Sequence, residues 1–225
     1  MKIFVCCEGQ TDVGPITSLI EKCLPSCKLE IDCKTHAELR KTTLLKSEIP
    51  RGVIKEGKRL KRIAYIRRLW TEANKAKSEY VGLHQDLDHQ DFNKVYQDIH
   101  NDFDTVLPPP IKRIAIVPKE TIESWLLADV KAINSLGDGS IFVDQSPNPE
   151  DLWGDEKDGN SKHPKNYLIR DLEKLNIENN LEAYPAIYAQ IAKKTNIDVL
   201  KRRCPKSFGQ FHTDIQSFIP KESPT

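Results

Sequence analysis

Four short candidate strands, at residues 2–7, 29–33, 79–84 and 112–117, alternate with segments whose apolar residues fall at helical spacing. That alternation restricts the fold more than any other feature. Parallel neighbouring strands need a crossover long enough to hold a helix, so repeated strand–helix units predict a mostly parallel sheet. The first run has no polar–apolar alternation, as expected of a strand covered on both faces. Pro15 after it suits the first position of a helix, and Ile16, Leu19, Ile20, Cys23 and Leu24 would form its buried stripe. Further helices are predicted over 60–77, from Phe92 to Phe103, and over 120–133. Residues 38–59 show no period and read as a loop or a basic arm. The segment 134–165 is rich in Gly, Asp, Asn, Pro and Ser and reads as a long loop, followed by helical stretches near 165–176, 183–203 and 207–218. The expected fold is α/β, a mostly parallel sheet flanked by helices. Residues 1–133 would form the core, and 134–225 a loop plus helical extension of the same domain.

Several function classes are disfavoured. No apolar run reaches the roughly 20 residues of a membrane span, and Glu8 interrupts the first apolar stretch before it reaches signal length. No GxGxxG or GxxxxGK pattern occurs, against the usual dinucleotide and P-loop sites. The six cysteines are too sparse for a disulfide scaffold and include no CxxC pair, so reduced thiols in a cytoplasm are expected. Cys23, Cys27 and Cys33 could make a thiolate site, but core packing explains them more simply.

The net charge of +1 hides an uneven distribution. From Arg40 to Arg68 eleven basic residues face two acidic ones, so this stretch carries +9 and the remainder −8. Such a segment is either a solvated helix face or a grip for a polyanion, with Lys58, Arg59, Lys61, Arg62, Arg67 and Arg68 as the nucleic-acid-binding candidates. Acidic residues fall where strands end, which in open α/β sheets is where ligands bind. Glu8 follows the first run, with Asp12 four residues on; Asp86 and Asp88 follow the third; Glu123 lies just after the fourth, with Thr121 two residues earlier. In an extended segment Asp86 and Asp88 would leave the same face. Taken singly, each is a turn former or helix-start acid. Together they suggest oxygen ligands for a hard divalent cation. His84 and His89 read as hydrogen-bonded histidines rather than metal ligands.

These motifs resemble the Toprim domain, in particular the branch containing the overcoming-lysogenization-defect (OLD) nucleases. Glu8-Gly9-Gln10-Thr11-Asp12 is similar to its EGxTE motif, with aspartate for the second glutamate, and Asp86-Leu87-Asp88 to its DxD. Glu123-Ser124-Trp125-Leu126-Leu127-Ala128-Asp129 resembles the EAWLLAD run of small stand-alone Toprim-like proteins, which also tend to carry Pro-Lys and SFxxF, here Pro164-Lys165 and Ser207-Phe208-Gly209-Gln210-Phe211. The resemblance implies a Toprim-like sheet and a nuclease site binding Mg²⁺ or Mn²⁺ through Glu8, Asp12, Asp86, Asp88 and Glu123, with Thr121 as a further ligand. Glu8 would be the general acid/base, and Lys165 would stabilise charge on the phosphate. It implies a DNA or RNA substrate and an effector working with a separate ABC- or SMC-type ATPase in anti-phage defence, and leaves a homo-oligomer open. The alternatives are a non-catalytic Toprim-like regulatory or nucleic-acid-binding subunit, and a phosphatase with an acidic Mg²⁺ pocket. Topoisomerase and primase readings lack room for a strand-gate domain or a Cys-rich zinc module.

Overall fold

The computed structural model describes residues 1–41, 57–177, 180 and 182–219, with the backbone alone for 57–61. Strands β1 (Lys2–Cys7), β2 (Glu30–Thr35), β3 (Tyr80–His84) and β4 (Lys112–Ile116) form one parallel sheet in the order β2-β1-β3-β4. Burial explains the uniform apolarity of β1. Ile3, Val5 and Cys7 point to one face, and Phe4 and Cys6 to the other. The first face is covered by α1 (Gln10–Cys23) and, from the second half of the chain, by α8 (Tyr184–Lys194), α9 (Ile197–Arg203) and α10 (Ser207–Gln216). The second face is covered by α3 (Gly57–Lys75), through Ile66, Leu69 and Ala73, and by α4 (Phe92–Val106), through Val95, Ile99 and Phe103. Asp91 caps α4, its carboxylate accepting from the Lys94 amide at 2.8 Å.

The expected parallel α/β fold is thus present, with local differences. Pro15 lies inside α1 rather than at its start, because Gly9 already caps the helix and Asp12 Oδ2 accepts from the Gly9 amide at 2.7 Å. The strand expected at 29–33 runs on to Thr35, and a short helix α2 (His36–Leu39) follows at once. The helix expected at 120–133 is two pieces, α5 (Glu123–Leu126) and α6 (Val130–Asn134). Asp129 breaks it by capping α6 and accepting from the Asn196 amide at 2.8 Å. Asn196 likewise splits the stretch 183–203 by capping α9. The segment 134–165 is irregular apart from a 3-10 turn at Pro149–Asp151, and α7 (Pro164–Lys174) follows. Among the described residues no helix is long and apolar enough to cross a membrane.

Candidate functional site

The chain leaves β1 through α1 on one face and reaches β4 from β3 through α4 on the other. The carboxyl ends of β1 and β3 therefore lie at the point where connections diverge, the place where such sheets form a crevice. Glu8 follows β1 there, and Gln85 and Asp86 follow β3. A cavity of about 630 Å³ opens at this point. Glu8, His84, Asp86 and Asp88 form one wall, and His36, Arg40, Arg62, Tyr65 and Lys94 line other parts of it.

The Asp86 amide donates to Glu8 Oε1 at 3.3 Å. Burial, then the Asp86 charge, pushes the Glu8 carboxyl up to about 7, with Asp88 adding to the effect and His84 opposing it. Asp86 is raised to about 6 by burial, against the pull of His84 and with added repulsion from Asp12 and Glu123. His84 is fully buried, and burial disfavours its charge, yet Asp12, Asp86 and Glu8 together raise its pKa to about 9. Its Nδ1 stands 3.4 Å from the Glu8 amide nitrogen and 3.5 Å from Asp12 Oδ2. These contacts compete for one nitrogen. A charged imidazole carries a proton there, so the carboxylate is the partner. Its Nε2 is 3.1 Å from Asp86 Oδ1, close enough for ion pairing but without hydrogen-bond alignment.

Behind this wall, on the α1 face, lie the buried carboxylates of Asp12 and Glu123. Burial raises Glu123; Thr121 and, less strongly, Lys165 oppose that, whereas Asp12 adds to it. The acids of the three strand ends therefore act on one another, but only Glu8, Asp86 and Asp88 line the cavity. Lys165 starts α7 and pairs with Glu156 at 2.6 Å. Among the described residues, Thr121 Oγ1, Asp86 Oδ1 and the Tyr188 hydroxyl are buried without a well-aligned hydrogen bond, although Thr121 and Tyr188 both lie close to the Glu123 carboxylate. Oxygen donors of this kind suit Mg²⁺ or Mn²⁺. Among the described residues, however, no three His, Cys, Asp or Glu side chains are grouped to hold a metal ion.

The segment after β3 does not stay extended. Asp88 and His89 take left-handed φ values of 47° and 62°, as does Glu120 at 63°. Non-glycine residues pay about 1 kcal/mol or more in this region, and such strain gathers at functional sites. Asp88 is consequently exposed while Asp86 turns inward, so the two leave the chain differently although both reach the cavity. Glu120 holds the turn: its carbonyl accepts from the Leu87 amide at 2.8 Å, and its carboxylate from the His89 amide at 3.0 Å.

The basic candidates separate. Arg62 reaches the cavity but is held by buried Asp102, its Nε donating at 2.5 Å. Arg68 lines a neighbouring cavity with Arg40, Ala64 and Tyr65, and Arg67 lies on another side of α3 beside Trp70 and Thr71. The side chains of Lys58, Arg59 and Lys61, and all of residues 42–56, lie outside the described residues.

Sequence reasoning missed Glu120, His36 and Tyr65. A signal for His36 existed: Thr35-His36-Ala37-Glu38 has the form of a capping box, which starts a helix directly at the end of β2. Glu120 and Tyr65 carry no comparable signal, because their places depend on a turn and on how α3 packs.

No curated protein and no solved structure matches the chain. A family match spans nearly its whole length, from the end of β1 to the end of α10, and carries neither an activity nor a tie to the Toprim resemblance. By that match over residues 7–216, the chain belongs to the family described as Domain of unknown function (DUF4276).

Proposed function

We propose that the chain is a Mg²⁺- or Mn²⁺-dependent nuclease that hydrolyses phosphodiesters of DNA or RNA. The observation that carries this reading is the convergence of Glu8, Asp12, Asp86 and Glu123 from three strand ends, close enough for burial and mutual repulsion to lift several of their pKa values. Carboxylates placed like this are relieved by a cation with room for oxygen ligands. Glu8 and Asp86 would hold the ion from the cavity wall, with Asp12, Asp88, Glu123 and Thr121 as further oxygen donors. The ion, when bound, supplies Lewis-acid stabilisation and a water of lowered pKa. Glu8 would also act as the general acid/base. Arg40, Arg62 and Lys94 on the cavity rim would position the phosphate backbone. Lys165 would offset negative charge from the Glu123 side.

A second reading, a non-catalytic nucleic-acid-binding subunit, draws on a specific observation. His84 already serves Asp12 and Asp86 as a counter-charge, and no three described side chains are grouped as ligands. Incubation with plasmid, linear DNA and tRNA, each with Mg²⁺, Mn²⁺ or EDTA, separates the two. The nuclease reading expects metal-dependent cleavage that falls on the order of 10²-fold or more in Glu8→Ala and Asp86→Ala, with the circular-dichroism spectrum unchanged. Cleavage in EDTA, or undiminished in both variants, would sink it. We further propose that an ABC- or SMC-type ATPase holds or activates the chain in a reducing cytoplasm, in keeping with its six free thiols. Where all substrates stay intact, the same assay with a neighbouring ATPase tests that partnership.

A further inference from the structure

The imidazole of His36 and the phenol ring of Tyr65 lie parallel, with centroids 4.0 Å apart and planes 7° from one another. They come from different elements, α2 and α3, and both rings line the cavity that holds Glu8 and Asp86. Both are half-buried rather than enclosed. Tyr65 is also fixed in orientation. Arg40 Nε donates to its hydroxyl at 2.7 Å, and the Arg40 guanidinium carbon stands 5.9 Å from the ring centre. Tyr65 and Arg40 continue into a second cavity of about 370 Å³, so the aromatic wall lies between two openings.

We infer that His36 and Tyr65, with Arg40 beside them, form a nucleobase-stacking subsite, so that the substrate is an unpaired nucleotide segment and not an intact duplex. The inference rests on the reading above in taking nucleic acid as the substrate and adds its class. Aromatic rings and a guanidinium beside a cationic backbone track are the elements by which proteins hold single strands. The same cavity is lined by Glu8 and Asp86 and by Arg40, Arg62 and Lys94, so a base on the rings would bring its own phosphate among these carboxylates and cations. Volume points the same way. A cleft of about 630 Å³ has small-molecule dimensions, and a duplex could present a base to it only by unstacking that base, a cost that an unpaired strand does not bear.

The test measures binding rather than turnover, so its outcome is independent of cleavage. Fluorescence anisotropy would follow a labelled oligothymidylate, an oligouridylate, an abasic strand of equal length and an oligothymidylate–oligoadenylate duplex, with the full-length Glu8→Ala protein in EDTA. The base-bearing single strands are expected to bind tighter than both the abasic strand and the duplex, and a preference for either sugar is consistent with stacking on a π face. Adding Tyr65→Ala should weaken them roughly 5- to 100-fold, the range of one base–aromatic contact. Tyr65→Phe, which keeps the ring, should stay within about two-fold of the parent. His36→Leu, which fills the space without a polar ring, should weaken binding in the same direction and guards against a folding defect in Tyr65→Ala. The salt slope should survive Tyr65→Ala and become shallower by about 0.7 in Arg40→Gln, the value of one phosphate contact on a single strand. Equal affinity for abasic and base-bearing strands, or no loss in either ring variant while both melt normally, would overturn the subsite. Cleavage undiminished in both Glu8→Ala and Asp86→Ala would instead count against the proposed carboxylate–metal site and leave the stacking result standing.

Discussion

His36 shows how a single side chain at this crevice is tied to its surroundings. Thr35 ends β2, and Glu38 accepts from the Thr35 amide at 2.7 Å and from its hydroxyl at 2.8 Å, which fixes the first turn of α2 and turns the imidazole onto Tyr65. Burial lowers the His36 pKa to about 4; the charges of His84 and Arg40 push the same way, and Asp12 opposes them. The unfolded chain has a histidine of ordinary pKa near 6.5, so between about pH 4 and 6.5 the unfolded state binds more protons than the native one. Stability from this residue is therefore full above about 6.5 and lost as pH falls through that window. With the solvent screening of a half-buried ring discounted, the advantage of the parent over His36→Gln should shrink by about 1 kcal/mol between pH 7.5 and pH 5, as read by urea unfolding. An advantage that is equal at both values would mean that the imidazole takes up its proton in the native state as it does in the unfolded chain. Glu8 and Asp86 were legible at this scale because a strand end limits where a side chain can go. Asp88 was legible in position but not in direction, since nothing in Asp86-Leu87-Asp88-His89 announces a left-handed turn held by Glu120, thirty-two residues beyond Asp88.

Among the helices, α1 carries the acidic motif at one end and the tightest helix contact along its length. A methyl group added at Gly14 would lie 2.6 Å from Ala189 Cβ, so α1 and α8 meet there at a separation that only a glycine permits. In an exposed helix Gly14→Ala would be stabilising by about 1 kcal/mol through propensity alone. Here the two helices must part, and overpacking of this kind destabilises by about 1–3 kcal/mol. The variant should unfold at lower urea than the parent, and Gly14→Ala combined with Ala189→Gly should recover part of the loss. A more stable single variant would show that the helices separate without penalty. The four strands, α1, α3 and α4 could be read from apolar spacing because each covers one face of a sheet. The breaks at Asp129 and Asn196 could not, because the two caps are joined across 67 residues by one hydrogen bond: the Asn196 amide donates to Asp129 Oδ2. A helical period says nothing about a polar partner that far along the chain.

In the whole molecule, the boundary at residue 133 marks a change of pattern and not a change of core. The side chains of α8, α9 and α10 belong to the same apolar cluster as Ile3, Val5, Ile16, Leu19, Ile114 and Trp125. Trp125, two residues from Glu123, meets Phe208 edge-on at 5.1 Å and donates from Nε1 to Ser207 Oγ at 2.8 Å. Ser207 in turn donates from both its amide and its hydroxyl to buried Glu150, each at 2.7 Å. The second half of the chain thereby holds α5, and with it the position of Glu123. Residues 1–133 on their own would expose the faces of α1, β4 and α5 that now lie against α7, α8 and α10. Uncovering a large apolar side chain forfeits about 1.5–3 kcal/mol, so four or five of them would consume the roughly 5–15 kcal/mol that keeps a domain folded. A fragment of residues 1–133 should accordingly show no cooperative urea transition and should bind a hydrophobic dye, whereas the full chain unfolds in a single step. A sharp transition for the fragment would mean that the sheet carries its own core and that the carboxylates at its edge are organised without help from the helices that follow.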